Sequence, residues 1–173
     1  MTVLALDLGH ESVADAEHWL AALPPVPGLV ACTHLVTGPH ARVLVTLAAP
    51  GPLDVSTLPP AANRTAAPPD GAALAAAQAH AAGAGGRAVR FPGAEHLVGV
   101  LSVADLLAHS AISRVRVLGG VPQPEPATLV DTRDFVRPQW MDGQLTLLAT
   151  QAPGGRIAPF ELPNPTPCCG GAH

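Results

Sequence analysis

Apolar and polar residues alternate between two periods along this chain, and the switches between them mark its elements. Residues 2–8 form an apolar run that stops at Gly9 and reads as a buried strand. Ser12 with Asp15 three residues on has capping-box spacing, and Val13, Ala16, Trp19 or Leu20, and Leu23 then recur at helical intervals until Pro24-Pro25. Residues 28–36 and 41–48 read as strands joined by the turn Thr37-Gly38-Pro39, an antiparallel hairpin. In the second of these, Val43, Val45 and Leu47 alternate with Arg42 and Thr46, which predicts one buried face. Prolines and small residues without a period fill 49–69, a long irregular loop. Asp70 is placed to cap an alanine-rich helix running to about Ala82, ended by Gly83-Ala84-Gly85-Gly86, and residues 87–91 resume strand character.

The order β-α-β-β-α-β is that of a ferredoxin-like unit, in which two helices cover one face of an antiparallel sheet. The expectation is therefore an α+β domain over residues 1–120, with the Pro-rich loop 49–69 inside it. Its last part, 96–118, is βαβ-like: a strand at 96–101, a helix capped by Ser102 with Asp105, and a strand at 112–118. Residues 121–162 extend the same domain as a small β-meander. Strands at 128–136 and 144–150 flank an Asp142-Gly143 hairpin signal, and 156–162 returns as a third. Pro163, Pro165 and Pro167 then hold 163–173 as an extended tail.

Composition narrows the functional classes. The chain has 173 residues, 48% hydrophobic and 13% charged, with no lysine or tyrosine and a net charge of −4. Nine scattered arginines make no continuous basic face and aromatic stacking residues are few, so nucleic acid is not an expected partner. No 18-residue apolar run is present, so no membrane helix is expected. Residues 1–7 lack a positively charged start and meet Asp7 early, unlike a secretory signal, which points to the cytoplasm. There the three cysteines would be thiols or metal ligands.

Two of those cysteines lie in Pro167-Cys168-Cys169-Gly170-Gly171-Ala172-His173. Thiolates and neutral imidazole are ligands of zinc and copper(I), and the glycine pair lets His173 swing back towards Cys168 and Cys169. Three donors do not complete a structural zinc site, and no Cys-x-x-Cys pair exists, so a fourth must come from the body or a partner. Cys32 and His34, two apart on one strand, share a face and offer two further ligands; the plain alternative is a buried thiol beside a satisfied histidine.

Other residues carry weaker signals. His10 with Glu11 has the makings of a general acid–base pair, while His18, His80 and His109 on helices and His40 and His96 at strand starts read as exposed or capping. Arg137, Trp140 and Asp142 cluster at the 138–143 hairpin in a combination that protein interfaces use as anchors. The glycine-rich stretches precede no helix, as a phosphate cradle must, and no Gly-x-Ser-x-Gly elbow occurs. The expected role is a cytoplasmic accessory protein that docks to a protein partner, with homo-oligomers allowed, and presents its Cys-Cys/His tail to zinc, copper or thiol chemistry. Competing roles are an assembly subunit without chemistry of its own, an enzyme with His10, His34 or Cys32 lining a pocket between sheet and loop, and a recognition domain whose tail cysteines an enzyme modifies.

Overall fold

The computed structural model describes residues 2–38, 41–60, 70–120 and 123–163. The fold is mixed α/β: ten described strands form one sheet, with three helices packed on it. The N-terminal half holds β1 (Thr2–His10), α1 (Val13–Ala21), β2 (Val30–Val36), β3 (Arg42–Ala49), α2 (Gly71–Ala81) and β4 (Arg87–Arg90). The C-terminal half adds β5 (Val100–Ser102), α3 (Val103–His109), β6 (Arg114–Val117), β7 (Leu129–Asp131), β8 (Gln139–Met141), β9 (Gln144–Ala152) and β10 (Arg156–Pro159).

Local chemistry sets the helix starts where the sequence places them. The Ser12 hydroxyl accepts the Asp15 amide at 3.1 Å and donates to the Asp15 carboxylate at 2.6 Å; Ser102 and Asp105 repeat the pattern at 3.0 and 2.6 Å. Asp70 accepts the Ala73 amide at 2.9 Å. Just past the end of α1, Arg90 donates to the Leu23 carbonyl at 2.5 Å and so ties the turn that follows the helix to β4.

Long-range arrangement departs from the ferredoxin-like expectation. The β-α-β-β-α-β order is present along the chain, but the strands lie in the order β1-β3-β2-β4, with β4 antiparallel to β2 instead of returning to the edge of β1. The helices also take opposite faces. Val43, Val45 and Leu47 of β3 pack with Trp19 and Leu20 of α1, whereas Leu44 packs with Ala73 and Ala76 of α2. β3 is thus buried on both sides, and Thr46, expected on an exposed face, is wholly buried. A helix on each face requires a strand apolar throughout, and the run Val43-Leu44-Val45-Thr46-Leu47-Ala48 satisfies this.

β4 joins the two halves, pairing with β8 through Arg87 and Gln139. Thr146 of β9 pairs with both Gln139 and Arg114, and Ala149 with both Pro159 and Val117. Hence β6 runs along one edge of β9, while β8 and β10 follow one another along the other edge. This is not a simple meander, because β10 also takes β7 as a parallel neighbour, and β7 pairs with β5. The sheet and α3 enclose a core of Phe91, Leu106, Ile112, Val115, Val130, Leu145, Leu147 and Ile157. Two expected strands are shorter than their apolar runs: His96 lies in a 3-10 turn, and β7 ends at Asp131 before Arg133 and Asp134 adopt left-handed backbone. Part of the Pro-rich segment is structured as well, with a turn over Val55–Thr57 and with Leu53 and Leu58 against the core under α1.

Candidate functional site

Cys32 and His34 do share one face of β2, and the structure adds partners that lie far away in sequence. Cross-strand pairing sets Cys32 opposite Thr46 on β3 and opposite Ala88 on β4. Above them α2 brings His80, which recurs with Ala73 and Ala76 on the buried face of that helix. The single Thr46 hydroxyl then meets two imidazoles, His80 Nδ1 at 2.7 Å and His34 Nε2 at 2.9 Å. One hydroxyl supplies one proton, so it donates to one ring and accepts from the other. Leaving a buried lone pair unused costs less than orphaning a buried N–H. Since His80 Nε2 has no hydrogen-bond partner among the described residues, the favoured arrangement is His80 Nδ1–H to Thr46 and Thr46 O–H to His34.

Trp140 closes the cluster from β8, its ring centroid 6.1 Å from that of His80. Gly86 fits against the opposite side. Its φ of +111° and the 2.9 Å from its would-be Cβ to His34 Cε1 admit no side chain without movement. The Gly86 carbonyl accepts the Trp140 amide at 3.0 Å and the Gly83 carbonyl accepts the Gly143 amide at 3.0 Å, so the turn after α2 is tied to the β8–β9 hairpin.

Burial sets the electrostatics here. Desolvation pushes the Cys32 thiol up to about 12. Burial lowers His34 to about 4, helped by the neighbouring His80, and burial alone lowers His80 to about 4. At neutral pH the cluster is a thiol and two uncharged imidazoles, with His80 1% exposed and Cys32 fully enclosed. No group of three or more His, Cys, Asp or Glu side chains among the described residues is arranged to share a metal ion.

Cys168, Cys169 and His173 lie outside the described residues, as does His40. The chain leading to the tail is firmly held, however. Glu161 receives Arg87 Nε at 2.5 Å and Gln139 Nε2 at 3.2 Å. Arg87 reaches on to Glu17 of α1 at 2.5 Å, and Arg137 grips the other Glu17 oxygen through NH2 at 2.7 Å and Nε at 3.2 Å. Desolvation would raise the Glu17 carboxyl, but the hydrogen bonds from Arg137 and Arg87 outweigh it and hold the pKa below the ordinary range. This network sits on the α1 face of the sheet, and Cys32, Thr46 and His34 sit on the other.

The hairpin residues divide accordingly. Arg137 is engaged with Glu17 and lies 4.2 Å over the Phe135 ring, Trp140 is half-buried against His80, and Asp142 is exposed at the turn with φ of 52°. Among the helical histidines His18 and His109 are exposed, as expected, and His80 is not. Sequence reasoning passed over His80, Thr46, Glu17, Arg87 and Glu161. Only His80 carried a usable signal, its spacing from Ala73 and Ala76 on one helical face. Comparisons with protein-family models, with curated proteins and with solved structures return no match, so the geometry alone bears on function. No helix among the described residues is long and apolar enough to cross a membrane.

Proposed function

We propose that this chain is an accessory protein whose sheet-based body docks to a protein partner and presents Cys168, Cys169 and His173 to a soft metal, zinc or copper(I), or to thiol chemistry. The observation that supports this reading is the clamp on Glu161. The chain is pinned by Arg87 and Gln139 seven residues before Cys168, so the first thiol stays within about 25 Å of a fixed point, taking the reach of extended chain. A tethered donor set has a high effective concentration at whatever partner the body engages.

The body's own donors are poor candidates to complete the ligand set. Cys32 is enclosed, with its thiol proton tightly held, and His34 Nε2 is committed to Thr46, on the sheet face opposite the clamp. The fourth ligand is therefore assigned to the partner, or to a second copy of the chain. Elemental analysis and intact-mass measurement of the full chain, isolated without chelator, test the reading against the double variant Cys168→Ser/Cys169→Ser. Zinc, copper or a thiol-linked mass increment should be present in the wild type and lost in the variant. Equal metal content and unmodified mass in both would sink the proposal and leave the assembly role.

A further inference from the structure

A second region, independent of the tail, has the features of a ligand site. We propose that the cleft between the end of β1, one side of α1 from Asp15 to Ala22, and Pro59-Pro60 binds an organic cation, an ammonium or guanidinium group carried on an apolar body. The cleft has a volume of about 670 Å³, within the range of small-molecule sites.

Its walls are set by the fold. The β1–β3 register shifts between Leu6 and His10, where Gly9 takes a φ of 72°, and such irregularities re-aim a strand's last side chains. His10 thereby lines the cleft, with Glu11, Asp15 and His18 around it. Trp19, 5% exposed, forms an aromatic wall, held by its indole N–H on the Pro59 carbonyl at 3.2 Å, and Pro59 lines the cleft as well.

The two carboxylates that line this space, Glu11 and Asp15, are acceptors. Glu11 makes no ion pair among the described residues, and Asp15 spends one oxygen on Ser12 and keeps the other. His10 Nε2 is buried with no hydrogen-bond partner among the described residues; an orphan ring nitrogen is less costly as a lone pair than as an N–H. Burial lowers the His10 pKa, opposed by Asp15 and Asp7, so the ring is neutral at pH 7. Among the described residues two carboxylates and no arginine line the cleft, and a concave surface of one sign concentrates the opposite charge. Indole and proline rings beside such acceptors suit a donor-rich cation on a hydrocarbon stem.

Phenethylamine is a suitable probe and 2-phenylethanol its uncharged analogue. The chain has two tryptophans, so a ¹H–¹⁵N spectrum holds two indole signals, assigned with Trp140→Phe. Phenethylamine should shift the Trp19 signal saturably with a dissociation constant of about 1 mM, as a fragment of its size allows. Glu11→Gln, at an exposed position, should weaken binding about fivefold, and 2-phenylethanol should bind at least about tenfold more weakly. No saturable shift, an equal response to 2-phenylethanol, or unchanged affinity in Glu11→Gln would each overturn the proposal.

Discussion

Arg137 and Glu17, 120 residues apart in the chain, form a two-pronged ion pair at 2.7 and 3.2 Å that ties the C-terminal strands to α1. The same carboxylate takes Arg87, which in turn holds Glu161. All three of Glu17, Arg87 and Arg137 are between 18% and 19% exposed, so this is neither a loose surface contact nor a fully dry one. Removing Glu17 leaves two half-buried guanidiniums facing one another. Breaking an enclosed pair costs about 3–5 kcal/mol and an exposed one under about 1 kcal/mol, so Glu17→Gln should cost about 2 kcal/mol. Urea unfolding monitored by tryptophan fluorescence measures it, and a cost below about 0.5 kcal/mol would show that the network adds nothing.

Gly86→Ala tests the packing of the turn over the histidine cluster. The new methyl would lie 2.9 Å from His34 Cε1 and 3.1 Å from Cys32 Cβ, on a backbone with φ of +111°. Left-handed strain and overpacking together should cost about 2–4 kcal/mol. The equivalent change at Gly154, where nothing lies within 4 Å, should cost about 1 kcal/mol from backbone strain alone. Equal losses at the two positions in chemical denaturation would refute the close fit at Gly86.

What could be read from the sequence divides by range. Ser12 with Asp15, Ser102 with Asp105, and the cap Asp70 fixed helix starts because those contacts span three residues, and period two set Cys32 and His34 on one face. Strand order was not legible, because it depends on pairings such as Ala88 with Cys32 and Gln139 with Arg87 that no local pattern encodes. The alternation of Val43, Val45 and Leu47 suggested one buried face of β3, since α2 covering the other face is a tertiary event. For the site, the donors on β2 could be seen but not their enclosure. Thr46, His80 and Trp140 arrive from β3, α2 and β8, and only their convergence turns a pair of possible ligands into a sealed polar cluster.

That enclosure predicts how the thiols differ. Cys32 is fully buried with a pKa near 12, and the thiolate is the reactive form, so N-ethylmaleimide at pH 7 should leave it unmodified in the folded protein and modify it promptly in denaturant. Peptide mapping by mass spectrometry separates Cys32 from the two tail cysteines. Modification of Cys32 in the native state as fast as in denaturant would mean that α2 and Trp140 do not seal it.

The pair of imidazoles on Thr46 makes stability depend on pH in a defined window. His34 and His80 titrate near 4 in the folded protein, against an ordinary value of 6.5 in the unfolded chain. Between those values the unfolded state binds more protons, so stability is complete above about pH 6.5, falls on acidification, and levels off below about pH 4. Each histidine contributes at most about 1.4 kcal/mol per pH unit within the window. Urea unfolding at pH 7.5, 6 and 5 should therefore show falling stability, and His80→Leu should reduce the slope by about half. Thr46→Val separates titration from hydrogen bonding. It removes the shared hydroxyl and strands both ring nitrogens, so it should cost about 2 kcal/mol even at pH 7.5, where both rings are neutral. A flat pH profile in the wild type would show that the imidazoles meet water freely, and the enclosed cluster would then be the wrong description of this face of the sheet.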